Sequence, residues 1–235
     1  MGIELTPSEI LYVWDNNNPN RNYQATRFDY YNGDQAILSE SKYRYSDGSS
    51  RTLVVTNWIK YIVDTHVGFA LTRPIKVTMA DSDADPTALD NYQKLRRDQG
   101  LDALDIEHYK NCLLAGYSVE VHSYDGVNIT SAIYPPDDWS FLYDTTGDLL
   151  AAILKTVIPA GTFYKTEITD SDIDVYTVYD NKYIRMYYMD DPDDPDTQPT
   201  LINEQRHVYG RIPITIFSVS PDKTSFIGDD LISQQ

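Results

Sequence analysis

At Gly116 the hydrophobic pattern of this chain changes period, and that change restricts it to a mixed fold. Before the glycine, apolar residues recur at three- and four-residue spacing, the mark of helices buried along one stripe. After it come short runs rich in β-branched and aromatic residues, at 117–124, 127–134, 149–157, 162–168, 174–179 and 183–189. Asp125-Gly126, Pro135-Pro136, Thr146-Gly147, Ala160-Gly161 and Asp180-Asn181 stand between those runs as turns. The order predicts an α+β fold, N-terminal helices followed by a mainly antiparallel β-sheet of consecutive hairpins.

The helical half is punctuated clearly. Thr6-Pro7-Ser8-Glu9 is a capping box with proline at the first helical position, and it opens a helix carrying Ile10, Leu11 and Trp14. Asn18 before Pro19 caps a second helix, which stops at Asn32-Gly33. The polar loop Ser46-Asp47-Gly48-Ser49-Ser50 leads on to the stretch 56–75, where Ile59, Ile62, Val63, Val67 and Ala70 line one face of a helix capped by Thr56 or Asn57. Pro74 ends that helix, and the alternation of Ile75, Val77 and Met79 predicts a short strand. Asp85 is placed to cap a helix running to Gln99, with Gly100 as its stop. A further helix from about 102 to 115 takes Leu104, Ile106, Tyr109 and Leu113 as its apolar side.

Beyond the strand runs, 190–199 is a loop of aspartate and proline that suits neither helix nor ladder. His207 to Ile214 leads into a strand at 215–219, and 225–232 reads as the opening of a helix with acids in its first turn.

Acidic residues outnumber basic ones 36 to 19, for a net charge of −17. Such an excess repels phosphate backbones and anionic headgroups, so gripping nucleic acid or a membrane by charge is disfavoured. No segment reads as a membrane span, and the first residues lack the basic and apolar regions of a secretory signal. The single cysteine, Cys112, allows no intrachain disulfide and sits on an apolar helix face as a small hydrophobe. Met1-Gly2 with Thr6 meets the loose myristoylation pattern, and Asn128-Ile129-Thr130 is a sequon; neither has the accompanying signals that would give it meaning.

Chemical motifs are sparse. Phosphate loops, zinc spacings, the HExxH helix and the GxSxG elbow are absent, and His66, His108, His122 and His207 stand far apart as ordinary packed residues. Asp170, Asp172 and Asp174 alternate like the start of a calcium loop, but Val175 stands where a glycine must turn and Asn181 where a bidentate glutamate is needed. The Asp81, Asp83, Asp85 run fails in the same way, with Pro86 and Tyr92 at those places. No catalytic, cofactor-binding or metal-ligating residue is assigned, and no cofactor is expected. Two other classes stay open: a carbohydrate-binding module with aromatic and acidic side chains in a row on the sheet, and a hydrolase using two of the 36 carboxylates.

Several places resemble the siphophage-type portal family of tailed bacteriophages, in the same order along the chain. They are Tyr31, Gly33 and Ile37-Leu38; Asn57 with the run ending in Val63-Asp64, Gly68-Phe69 and Pro74-Ile75; Leu114-Ala115-Gly116-Tyr117; Tyr134-Pro135-Pro136 with Tyr143-Asp144; and Gly210-Arg211-Ile212-Pro213-Ile214 with 226–232. The resemblance implies a wing made of a helical part, 1–116, and a β-rich part, 117–220, followed at 221–235 by the start of a stem helix that is cut short. It implies a structural subunit and not an enzyme. Its partners would be other portal subunits in a dodecameric ring, major capsid and scaffolding proteins, the large terminase and a head-tail adaptor, with no membrane. Double-stranded DNA would pass through without sequence-specific binding during packaging and ejection. The expected location is the capsid vertex of the virion, and the host cytoplasm during assembly. Stem, clip, tunnel helix and crown have no counterpart in these residues, so DNA contacts cannot be assigned to any of them.

Overall fold

The computed structural model describes residues 3–35, 38, 56–80, 85–164, 167–168, 170, 172–189 and 197–218. Helices α1 (Pro7–Asn16), α2 (Asn18–Asn32), α3 (Trp58–Leu71), α4 (Thr87–Gln99) and α5 (Leu101–Ala115) come first. Strands follow: β1 (Tyr117–Tyr124), β2 (Ile129–Tyr134), β3 (Trp139–Tyr143), β4 (Leu149–Ile158), β5 (Phe163–Tyr164), β6 (Glu167–Ile168), β7 (Ile173–Tyr179), β8 (Tyr183–Met189), β9 (Thr200–Arg206) and β10 (Ile214–Ser218). The architecture is α+β, as the change of period at Gly116 requires. The polar loop 46–50, Asp81 to Ala84, the acidic loop 190–196 and the helix start at 225–232 lie outside the described residues.

The strands do not form one sheet. They make a three-stranded sheet in the order β10-β1-β2, a five-stranded sheet in the order β3-β4-β7-β8-β9 and a small ribbon, β5-β6. The run 162–168, read as one strand, is two short strands paired as a hairpin, with Phe163 opposite Ile168. Strands β3 and β9 escaped the sequence reading. The first follows Pro135-Pro136 and a single 3-10 turn, and Thr200–Arg206 is a mostly exposed outer strand with few apolar residues to mark it.

By contacts the chain divides into two compact units, one from the described parts of 1–22 and 135–215, the other from those of 23–134 and 216–235. The first holds the five-stranded sheet with α1 laid on it. Ile10 and Val13 of α1 pack with Ala151 and Ile153 of β4, Tyr176 and Val178 of β7, and Tyr187 and Met189 of β8. These sheet residues are two apart on each strand and so share one face, in register through Ile153 opposite Val178 and Tyr176 opposite Tyr187. Trp14 closes the cluster edge-on to Tyr176, ring centres 5.8 Å apart. The other face of β4 is buried as well, through Ala152 and Leu154, so this strand reads as a continuous apolar run.

The start of α1 is built as its sequence demands. The Glu9 amide donates to Thr6 Oγ1 at 3.4 Å, and the Thr6 amide donates to Glu9 Oε2 at 2.8 Å. Between α1 and α2 only Asn17 intervenes, so Asn18 is the first residue of the second helix instead of the cap before it. Arg21 secures this corner: its guanidinium carbon lies 3.6 Å from the centre of the Trp14 ring, and Nη1 donates to Ser140 Oγ at 2.9 Å.

A buried ion pair closes the far end of the sheet. Asp180 is fully buried in the turn from β7 to β8, and its Oδ1 accepts the Tyr183 amide at 2.7 Å while its Oδ2 accepts Arg185 Nη1 at 2.6 Å. Arg185 also donates from Nε to Glu204 Oε2 on β9 at 2.6 Å and from Nη1 to the Ile3 carbonyl at 3.4 Å. One side chain therefore joins hairpin, neighbouring strand and N-terminal segment.

Two measurements follow from this unit. Arg185→Ala leaves Asp180 charged, buried and unpaired, a change expected to cost about 3 to 5 kcal/mol in urea denaturation, whereas Tyr12→Ala on the exposed side of α1 is near neutral. Asp138, beside β3, is pushed up to about 6 by burial and by the neighbouring Asp137. Its ionisation therefore opposes folding above that pH, so Asp138→Asn should stabilise the protein at pH 8 and lose that advantage at pH 4, read as the difference in melting temperature.

Candidate interaction surface

In the second unit α3 lies between a packed face and an open one. Val63 is buried with Leu113 and Leu114 of α5, and Ile59, Val67, Phe28, Tyr31 and Tyr109 pack around them. Asn57 is the cap, accepting the Lys60 amide on Oδ1 at 2.9 Å while its Nδ2 donates to the Tyr31 carbonyl at 2.8 Å, which ties α3 to the end of α2. Lys60 reaches back to the Tyr31 hydroxyl at 3.2 Å and to Asp64 at 3.4 Å.

The expected apolar stripe is thus narrower than the sequence suggested. Ile62 is half-buried and Ala70 exposed, because α5 covers α3 over one strip only. On the open side Trp58, Tyr61 and Phe69 are 61, 63 and 90% exposed, and the first two meet edge to face at 5.9 Å. Exposed aromatics do occur in a group here, but on a helix; Trp139, Tyr176, Tyr179 and Tyr187 of the five-stranded sheet are buried. On the same sheet Phe141 and Tyr143 of β3 and Tyr183 and Tyr188 of β8 are half-buried.

After α3 the chain stays extended through Met79, yet no described strand pairs with it, so the strand expected at Ile75, Val77 and Met79 is an extended segment without a ladder. Ile75 and Val77 are left 51 and 36% exposed. Helix α4 buries none of its side chains. Its N-cap is Pro86, with Asp85 Oδ1 accepting the Thr87 amide at 2.9 Å from one residue further out than a capping aspartate would stand. Gly100, in the left-handed region at φ +63°, ends α4 and turns directly into α5. Arg96 crosses that corner to Asp102 at 2.6 Å and to Asp105. Those carboxylates, with the Tyr92 hydroxyl, raise the guanidinium pKa further above its ordinary value.

Between the extended segment and α4 runs a groove of about 300 Å³, with Ile75 and Val77 on one side, Gln93 on the other, and Lys76 and Arg97 among its lining. A second hollow of about 390 Å³ is lined by Leu71, Tyr109, Cys112 and Phe217, with Asp105 and His108 at its polar end. Burial pushes the Cys112 thiol up to about 11, so at neutral pH it is an inert thiol.

The buried side of α5 differs from the apolar side expected of it. Ile106 is 43% exposed, while His108 and Asn111 are buried with Cys112, Leu113, Leu114 and Ala115. Two histidines far apart in sequence meet through one acid. Glu120 Oε2 lies 3.3 Å from His108 Nε2, and its Oε1 lies 3.7 Å from His122 Nδ1. A carboxylate only accepts, which places the His108 proton on Nε2; Nδ1 then accepts the Ser118 hydroxyl at 2.9 Å, and Ser118 Oγ accepts the Asn111 amide at 3.4 Å. Ser118 is fully buried, so this serine, histidine and glutamate series clamps α5 to β1 and offers no nucleophile to solvent.

The remaining titratable residues singled out from the sequence are dispersed. His66 is exposed on α3, and His207 Nε2 donates to the Asp180 carbonyl at 2.8 Å. Asp172 Oδ1 accepts the Ala160 amide at 2.8 Å, and Asp174 is buried against Lys155. Among the described residues no three histidine, cysteine or acidic side chains come together as metal ligands.

These features define a class: an α+β body whose buried polar groups fasten elements together and whose helix α3 presents exposed aromatic rings. The sequence matches the family described as phage portal protein, SPP1 Gp6-like, over residues 10–235, and the chain belongs to that family. No individual curated protein matches it.

Hydrogen bonding from His108, opposed by burial, holds the Glu120 carboxyl below its ordinary value of 4.5. Ionised Glu120 therefore stabilises the fold above that pH, and the contribution is lost as pH falls through the lower folded value. Glu120→Gln should melt earlier than wild type at pH 7 and show a shallower loss between pH 5 and 3, followed by circular dichroism.

Proposed function

We propose that the chain is the wing of a portal subunit and works by assembly and passage, without bond chemistry. In this reading about twelve copies, with the continuation of the chain beyond the wing, form the ring at one capsid vertex through which double-stranded DNA is packaged and ejected. The terminase docks there during filling, and head-tail adaptor proteins afterwards. Residues 1–116 and 117–220 are the helical and β-rich parts of the wing, and 221–235 begins the stem.

The observation that carries the reading is the family match across 10–235. Two physical features agree with it. A net charge of −17 keeps DNA from adhering to a conduit it must slide through. The exposed rings of α3 and the unburied α4 leave apolar surface open, as expected of a subunit with neighbours.

Absolute mass by light scattering tests this on the chain continued in its own reading frame past Gln235. A single species of about twelve copies is expected; a stable monomer at every concentration overturns the ring.

A further inference from the structure

We propose that the groove between the extended segment after α3 and helix α4 is the acceptor half of a head-to-tail contact, and that it takes an acidic segment of a second copy of this chain. The inference rests on the ring-forming reading and names the surface that would make the ring.

The groove combines three properties. Its extended side is a strand by sequence pattern, with Ile75 and Val77 exposed and no ladder partner among the described residues. An extended backbone with open hydrogen-bonding groups is a template for another chain. Its other side is α4, which holds its place without burying a side chain.

The third property is charge. Lys76 and Arg97 line the groove, and neither side chain has an ion pair or hydrogen bond with any described residue. The lining carboxylate, Asp102, is already engaged by Arg96, which also holds Asp105. In a chain of net charge −17 this is a locally cationic, partly apolar trough.

That sign decides the symmetry of the contact. A two-fold contact through the groove would set Lys76 and Arg97 against themselves, which like charges oppose. A heterologous contact places them against acid on a different part of the neighbour, and contacts of that kind close into rings where the rotation between neighbours divides a full turn. The densest acid in the chain is 190–196, where Asp190, Asp191, Asp193, Asp194 and Asp196 flank two prolines. Proline fixes its own φ, so a segment of this composition loses less freedom when a groove takes it up.

The test uses a fluorescein-labelled peptide of residues 190–199, DDPDDPDTQP, titrated with the 235-residue chain and followed by anisotropy. Saturable binding is expected, weaker at 500 mM than at 50 mM NaCl. It should weaken at least tenfold with Lys76→Glu/Arg97→Glu and stay within twofold with Lys182→Glu/Arg206→Glu, which makes the same charge change elsewhere. Both variants are first matched to wild type in circular dichroism and melting. No binding, or equal loss in the two variants, overturns the groove.

A second measurement separates this inference from the ring itself. If the continued chain forms rings and its Lys76→Glu/Arg97→Glu variant forms them equally well, the groove is overturned and the portal reading stands. If the unchanged chain forms no rings, the portal reading falls. A variant that loses the ring, and regains it when Asp190, Asp191 and Asp193 are changed to lysine in the same chain, supports the proposed pairing.

Discussion

The pairing of Arg185 with Asp180 is the constraint on which the five-stranded sheet most depends. Asp180 is fully buried where β7 turns into β8, and a carboxylate there is tolerable only with its charge and lone pairs met. Arg185 meets the charge, the amides of Lys182 and Tyr183 meet one oxygen, and the pairing registers depend on the turn that results. From the same guanidinium the bonds to Glu204 and to the Ile3 carbonyl bring β9 and the N-terminus into place. The apolar contacts of α1 then cover a sheet whose order is already set. The second unit repeats the logic with a different group, Glu120, which gathers His108 and His122 and so joins α5 to β1.

Where residues dictate structure through neighbours in the chain, the sequence was a sound guide. The capping box at Thr6 and Glu9, the left-handed stops at Gly100 and Gly116 and the switch to strands at Tyr117 are all local, and all stand where they were read. Readings failed where partners are distant. Ile75, Val77 and Met79 alternate as a strand does, but alternation cannot say whether another strand is there to pair with. On α5 the helical period put Ile106 inward, whereas the buried side is taken by His108 and Asn111, whose partners on β1 no spacing rule reveals. For β9, edge position left too little hydrophobic pattern to see. The groove beside α4 was invisible for the same reason, since Lys76 and Arg97 are far apart in sequence and meaningful only side by side.

For a member of the portal family, such a division of labour is coherent. Buried polar groups are spent on holding helix to strand and strand to strand, with Ser118, Glu120, Asp180 and Arg185 all withdrawn from ready reaction with solvent. The outward helices carry what has not been satisfied internally: aromatic rings on α3, free cations beside α4 and apolar side chains on the extended segment. Recognition here is a matter of surface, and the acid excess limits which surfaces can approach each other.

Helix α4 adds a consequence of its own. Since it buries no side chain, oil and water contribute little to where it rests; the grip of Arg96 on Asp102 and Asp105 does that task. Dissolved ions screen such a grip far more than they screen a packed core. The helix is therefore a limb moored by charge, and the saltiness of its surroundings bears first on Asp102, the more exposed of its two anchors.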